Sequence, residues 1–144
     1  MKQVIKFKSP KEHYKADACV VWCFDDRFTG LLGELNKFGL ENVDLVRVAG
    51  GAKDLVTRGS RANFVLDQID KSIRLHHTPL VILMIHESCG AYGKLSVANE
   101  KDFLSSELQK AKKIVASFLS RKGHKIKVKI CLADFDGLWD VNPA

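Results

Sequence analysis

The sequence has no apolar run long enough to cross a bilayer. Its uninterrupted apolar runs, residues 18–24 and 80–85 among them, are far short of the roughly 20 that a membrane helix needs, so no membrane partner is expected. It also has no internal repeat, low-complexity tract or linker, so nothing divides its 144 residues, and one compact domain over 1–144 is expected. A charged leader followed by an apolar block is missing too, because lysine keeps interrupting Met-Lys-Gln-Val-Ile-Lys-Phe-Lys at the start; the expected location is cytoplasmic. In that compartment Cys19, Cys23, Cys89 and Cys131 have little need to pair, and read as free thiols or metal ligands rather than disulfides. Aromatic residues are only 8% of the chain and are not interleaved with a basic stripe, as a base-stacking surface requires. The net charge of +6 therefore reads as a solvated surface, and no nucleic-acid partner is expected. What is present is 46% hydrophobic residues in periodic blocks, which excludes disorder as the main state.

Short strand-like runs alternate with longer helical ones, the pattern of an α/β domain with a mostly parallel sheet. Residues 18–24 (Ala-Cys-Val-Val-Trp-Cys-Phe) predict a first strand buried on both faces, followed by a helix over 28–38 that Gly39 stops. Residues 43–49 predict a second strand running into Gly50-Gly51, where the backbone can turn sharply or approach a ligand. A helix over 61–76 follows, with Ala62, Val65, Leu66, Ile69 and Ile73 on one face. The third strand, 80–85, is the most apolar stretch and the expected centre of the sheet. Asn99 can cap a helix running to about Lys122, with Gly123 just past its end. Residues 125–132 alternate strictly, as a strand near an edge would, and Asp136-Gly137 can turn residues 138–141 back as a short antiparallel strand.

Open α/β sheets bind ligands at the carboxyl ends of their strands. The first strand ends in Cys23-Phe-Asp25-Asp-Arg27 and the third in His86-Glu-Ser-Cys89-Gly90. If these strands are neighbours, Cys23, His86 and Cys89 meet across one crevice, and two thiolates with one imidazole suit zinc, with a fourth position left over. Asp25 is close enough to ligate that metal or to accept a hydrogen bond from its water, and Arg27 has the planar fork to hold the carboxylate.

Cys23-x-Asp25-x-Arg27, Arg47-x-Ala49-Gly50 and His86-x-x-Cys89-Gly90 resemble the β-class carbonic anhydrase family in order and setting, and the flanking pattern extends the similarity over roughly residues 16–141. The resemblance implies reversible hydration of carbon dioxide to bicarbonate through a zinc-bound hydroxide, with one Zn²⁺ per chain. It makes Cys23, His86 and Cys89 the permanent ligands, Asp25 and Arg27 a catalytic dyad with Asp25 as conditional fourth ligand, and Ala49, Gly50 and Gly90 the substrate pocket. It also implies strand order 2-1-3-4, helices on both faces of the sheet, and a homodimer or homotetramer. Phe24, Val48 and Gly51 depart from the family pattern, which has a small residue at the first position and asparagines at the other two. The alternatives are carbonyl sulfide or carbon disulfide hydrolysis on the same site, or a non-catalytic zinc or thiol module. Cys19 and Cys131 read as packing thiols, His76 and His77 as a helix end, and His13 and His124 as surface; Tyr92 either lines the crevice or packs on it.

Overall fold

The computed structural model describes residues 1–141; the last three residues of the expected 1–144 domain lie outside the described residues. Five strands form one mixed sheet: β1 (Ala18–Trp22), β2 (Val43–Arg47), β3 (Leu80–His86), β4 (Lys127–Ala133) and β5 (Leu138–Asp140), in the order β2-β1-β3-β4-β5. The first four pair in parallel and β5 returns antiparallel to β4, so the expected order and the antiparallel C-terminal strand both stand.

Between strands lie α1 (Thr29–Glu34), α2 (Lys53–Thr57), α3 (Gly59–His76) and α4 (Glu100–Arg121). One face of the sheet, through Val21, Leu83, Ile85 and Ile130, packs on Leu55 of α2, Ile69 of α3 and Leu108 of α4. The opposite face, through Val20, Trp22 and Met84, packs on Phe28 and Leu35 at the two ends of α1. The helix expected over 28–38 is not continuous: 3₁₀ turns at Asp26–Phe28 and Leu35–Phe38 flank α1, and Gly39 ends the run at φ +75°. Asn99 caps α4 as expected, its side chain accepting from the Asp102 N–H at 3.3 Å, and Gly123 lies beyond the end at φ +77°.

The sheet order fixes where a ligand can sit. The chain leaves β1 toward β2 on one face and leaves β3 toward β4 on the other, so the carboxyl ends of the adjacent β1 and β3 diverge and open a crevice.

The other end of the sheet is held by a polar knot around Asp44 on β2. Ser72 donates to its carboxylate at 2.6 Å, Tyr14 at 2.5 Å and the His76 Nδ1–H at 2.7 Å. Burial pushes the Asp44 carboxyl up, and the hydrogen bonds from Ser72, Tyr14 and His76 more than offset it, leaving it below the ordinary carboxylate range. A group depressed in the folded state stabilises the fold above its unfolded value, near 4, and loses that contribution as pH falls through the folded value. Asp44→Asn is expected to lower stability by about 1–3 kcal/mol at neutral pH. The difference from the parent should hold constant above about pH 5 and shrink below it, which thermal melts across pH will check.

Candidate metal centre

Cys23 follows β1 directly, His86 is the last residue of β3, and Cys89 comes three residues later, ahead of a 3₁₀ turn at Gly90–Tyr92. All three side chains are buried, and their ligand atoms lie within 4.8 Å of one another. Among the described residues this is the group of His, Cys, Asp and Glu side chains with metal-binding geometry. The two sulfurs are 3.9 Å apart, and the Gly50 N–H points at Cys23 Sγ from 3.4 Å.

His86 shows which of its nitrogens is available. Its Nδ1–H donates to the Glu87 carbonyl at 2.8 Å, which leaves Nε2 with a lone pair. Nε2 is buried and has no hydrogen-bond partner. An orphaned buried acceptor costs free energy unless something binds it. Phe28, with its ring centroid 4.4 Å from the imidazole, and Trp22, at 5.9 Å, fix the ring so that Nε2 faces the sulfurs. Burial pushes the Cys89 thiol up, and the neighbouring Cys23 sulfur adds to the rise. Two buried sulfurs beside an unbonded imidazole nitrogen are the environment that a divalent cation reverses, because its charge stabilises the thiolates directly. The residues therefore fit a metal ion.

Beside them stands Asp25, whose Oδ2 is 3.8 Å from His86 Nε2. Arg27 holds this carboxylate in a fork, Nε donating to Oδ1 at 3.0 Å and Nη2 to Oδ2 at 2.7 Å, while the Arg27 backbone N–H donates to Oδ1 at 3.1 Å. The hydrogen bond from the Arg27 side chain pulls the Asp25 carboxyl down to about 2, so it is ionised at neutral pH. Arg47, at the end of β2, donates through Nε and Nη2 to the Cys23 carbonyl at 3.3 Å, and through Nη2 to Thr29 Oγ1 at 3.1 Å, tying the β1 exit to α1.

A cavity of about 240 Å³ opens at this point, lined by Cys23, Phe24, Asp25, Ala49, Gly50, Cys89, Gly90 and Ala91. Ala49, Gly50 and Gly90, the three residues expected for a substrate pocket, all border it. Phe24 stands at its mouth, 63% exposed. The departure at Gly51 has a steric reason: φ is +58°, and a Cβ there would lie 2.3 Å from the Met84 carbonyl oxygen.

Cys19 and Cys131 stay out of the cluster. They are buried in β1 and β4, where burial pushes their thiols up to about 12 and about 11. Tyr92 packs against Phe103, with ring centroids 6.0 Å apart, rather than lining the crevice. His124 is not a free surface residue: Nε2 lies 2.9 Å from Asp70 Oδ1, a buried carboxylate. Residue type and spacing did not point to Ser88 or Glu100, which shape the loop between His86 and Cys89. A serine in the left-handed region, at φ 54°, has no signature in sequence.

No protein-family profile matches the chain. An uncharacterized protein of Rickettsia bellii (strain RML369-C) is 29% identical over 152 residues, covering 95% of this chain and 90% of that one. Among solved structures, tetrameric β-carbonic anhydrases of the filamentous ascomycete Sordaria macrospora align with a TM-score of 0.61 at 12% identity, over 88% of this chain and 81% of theirs. A carbonic anhydrase from Glaciozyma antarctica aligns at 0.56 and one from Streptococcus mutans at 0.52, each 19% identical over 90% of this chain and 84% of the other. The chain has the β-carbonic anhydrase fold, and the resemblance read from its motifs holds at the level of architecture.

Proposed function

We propose that the chain is a cytoplasmic zinc enzyme that catalyses the reversible hydration of carbon dioxide to bicarbonate. The observation that carries this reading is the convergence of Cys23 Sγ, His86 Nε2 and Cys89 Sγ, with Nε2 buried and otherwise unbonded, beside a carboxylate fixed by arginine. Cys23, His86 and Cys89 would hold the zinc; sulfur and nitrogen donors suit this ion, and three protein ligands leave one position for substrate chemistry. When bound, zinc supplies the Lewis acidity that brings the pKa of water down to about 7. The chain's own residues do the rest. Asp25, ionised and oriented by Arg27, accepts a hydrogen bond from the attacking water and aims it. Phe24, Ala49 and Gly90 wall an apolar crevice in which a small, uncharged, linear substrate displaces bulk water. Support for a homodimer or homotetramer comes from β2, which is an open edge with Leu45 45% exposed, and from Phe24 at the crevice mouth.

Zinc-loaded protein is expected to hydrate carbon dioxide, and Asp25→Asn to keep its zinc while losing about 10- to 100-fold in rate. Stopped-flow hydration assays on metal-quantified protein will check this, with carbonyl sulfide and carbon disulfide run beside carbon dioxide to settle the substrate. The second reading, a non-catalytic zinc module, is favoured by the closeness of Asp25 Oδ2 to His86 Nε2, which puts a fourth ligand within reach. Bound zinc without turnover on any of the three substrates from about pH 7 to 9 would select it.

A further inference from the structure

His86 and Cys89 are separated by two residues, and for both to face one point the backbone must reverse at Ser88, which sits at φ 54°. That conformation is unfavourable for a serine and persists only where its surroundings hold it. Every backbone polar group of Glu87 and Ser88 is in fact engaged. The Glu87 N–H donates to the Ala133 carbonyl on β4 at 2.9 Å, and the Glu87 carbonyl accepts from His86 Nδ1 at 2.8 Å. The Ser88 N–H donates to Glu100 Oε1 at 2.9 Å, and the Ser88 carbonyl accepts from Arg27 Nη2 at 3.1 Å. The last two partners are charged side chains, one on the N–H of Ser88 and the other on its carbonyl.

Glu100 is the first residue of α4, a helix of 22 residues anchored by Leu104 and Leu108, both fully buried. The helix does not need this carboxylate as its cap, since Asn99 already fills that role. We infer that Glu100 is a positioning residue for the metal site: its carboxylate clamps Ser88 in the left-handed conformation that lets His86 and Cys89 converge. The inference rests on the zinc reading above and extends it to a residue 11 positions beyond the last ligand. Arg27 completes the clamp while it holds Asp25, so the dyad and the ligand loop are built on a shared guanidinium.

The test uses the full-length protein loaded with zinc and titrated against a chromophoric chelator, with melting of the metal-free form recorded in parallel. Glu100→Asp keeps a negative charge at the helix start but is one methylene too short to reach Ser88. It is expected to weaken zinc binding about 10- to 100-fold while leaving the metal-free melt within a degree or two of the parent. Glu100→Gln keeps an acceptor at the same reach and should lose less than about tenfold. Adding Ser88→Gly to Glu100→Asp should restore at least half of the loss on a logarithmic scale, because glycine takes φ near +54° without a clamp. A Glu100→Asp protein that binds zinc like the parent overturns the inference, and so does a loss that Ser88→Gly leaves unrepaired, since that places the effect in α4 itself. A parent that takes up no zinc overturns the metal reading and this role together, so the two failures are told apart by the parent alone.

Discussion

Zinc retention by Cys89→Ser is expected to fall by more than about 100-fold relative to the parent. The structural zinc sites of small domains contribute roughly 10–16 kcal/mol in total, and a quarter of that, about 2.5–4 kcal/mol, is about two to three decades in affinity. A serine hydroxyl is no substitute for the sulfur, because at neutral pH it does not ionise as a thiol beside a dication does. The loss also removes the anion that lets His86 Nε2 and Cys23 Sγ share a cation, so the remaining pair is left as a buried nitrogen without a partner and a buried thiol. Two readouts check it. Metal analysis after gel filtration should find zinc in the parent and little in the variant. Saturating zinc should raise the melting temperature of the parent by mass action, by the equivalent of about 4 kcal/mol at a thousandfold excess over its Kd, and that of the variant by no more than about 1.4 kcal/mol at the same zinc concentration. Cys19→Ser and Cys131→Ser are the controls. Both thiols are buried in strands away from the cluster, so both variants should retain zinc whatever they do to packing. Equal zinc in the parent and Cys89→Ser would remove the ligand set on which the proposed function stands.

The cluster of Cys23, His86 and Cys89 was legible in sequence because its chemistry is carried by residue type at strand ends. A buried strand that stops at cysteine and another that stops at histidine leave donors at the carboxyl edge of a parallel sheet, and periodicity alone locates both ends to within two residues. The strand count and the capped α4 were legible for the same local reasons. Three features were not. The α2 helix is five residues with one fully buried side chain, Leu55, too short to show a helical period. The run over 28–38 reads as one helix because its apolar residues recur at helical spacing, yet 3₁₀ geometry takes over at both ends and lets Phe28 turn inward onto His86. Pairings across distance leave no local mark at all. Glu100 meets Ser88 across 12 positions and His124 meets Asp70 across 54, and in neither case does the sequence around one residue point to the other. Reading residues in order therefore stops working at contacts such as Glu100 to Ser88, which are set by where α4 docks against the loop after β3.

Gly51→Ala is expected to cost about 3–6 kcal/mol, a large share of the 5–15 kcal/mol that holds a domain of this kind together. The two glycines at the end of β2 do different work. At Gly50, itself at φ +78°, an added Cβ would meet Lys53 Cβ at 2.9 Å and Ala91 Cβ at 3.1 Å, the bases of side chains on neighbouring segments. At Gly51 it would meet backbone: the Met84 carbonyl oxygen at 2.3 Å, the Cys23 nitrogen at 3.2 Å and the Trp22 carbonyl carbon at 3.4 Å. Neither β3 nor β1 can retreat, because each is paired on both edges. The loop must instead lift away, and the hydrogen bond from the Ala52 N–H to the same Met84 carbonyl, 3.2 Å, goes with it. The left-handed backbone costs about 1–2 kcal/mol for a residue with a Cβ, overpacking about 1–3, and the lost hydrogen bond about 1. Gly51→Asn, which would restore the residue common in the resembled family, takes the left-handed backbone more readily than alanine but carries the same Cβ, so the clash with the Met84 carbonyl remains. At about 2–4 °C per kcal/mol for a chain of this length, melting should drop by roughly 6–24 °C. Gly90→Ala provides the contrast: its Cβ would meet nothing within 4 Å, so its melting should match the parent even though it narrows the crevice. A Gly51→Ala protein melting within a degree or two of the parent would mean that the loop after β2 does not press on the seam between β1 and β3. The wall of the crevice, and the Gly50 N–H that points at Cys23, would then have to be placed differently.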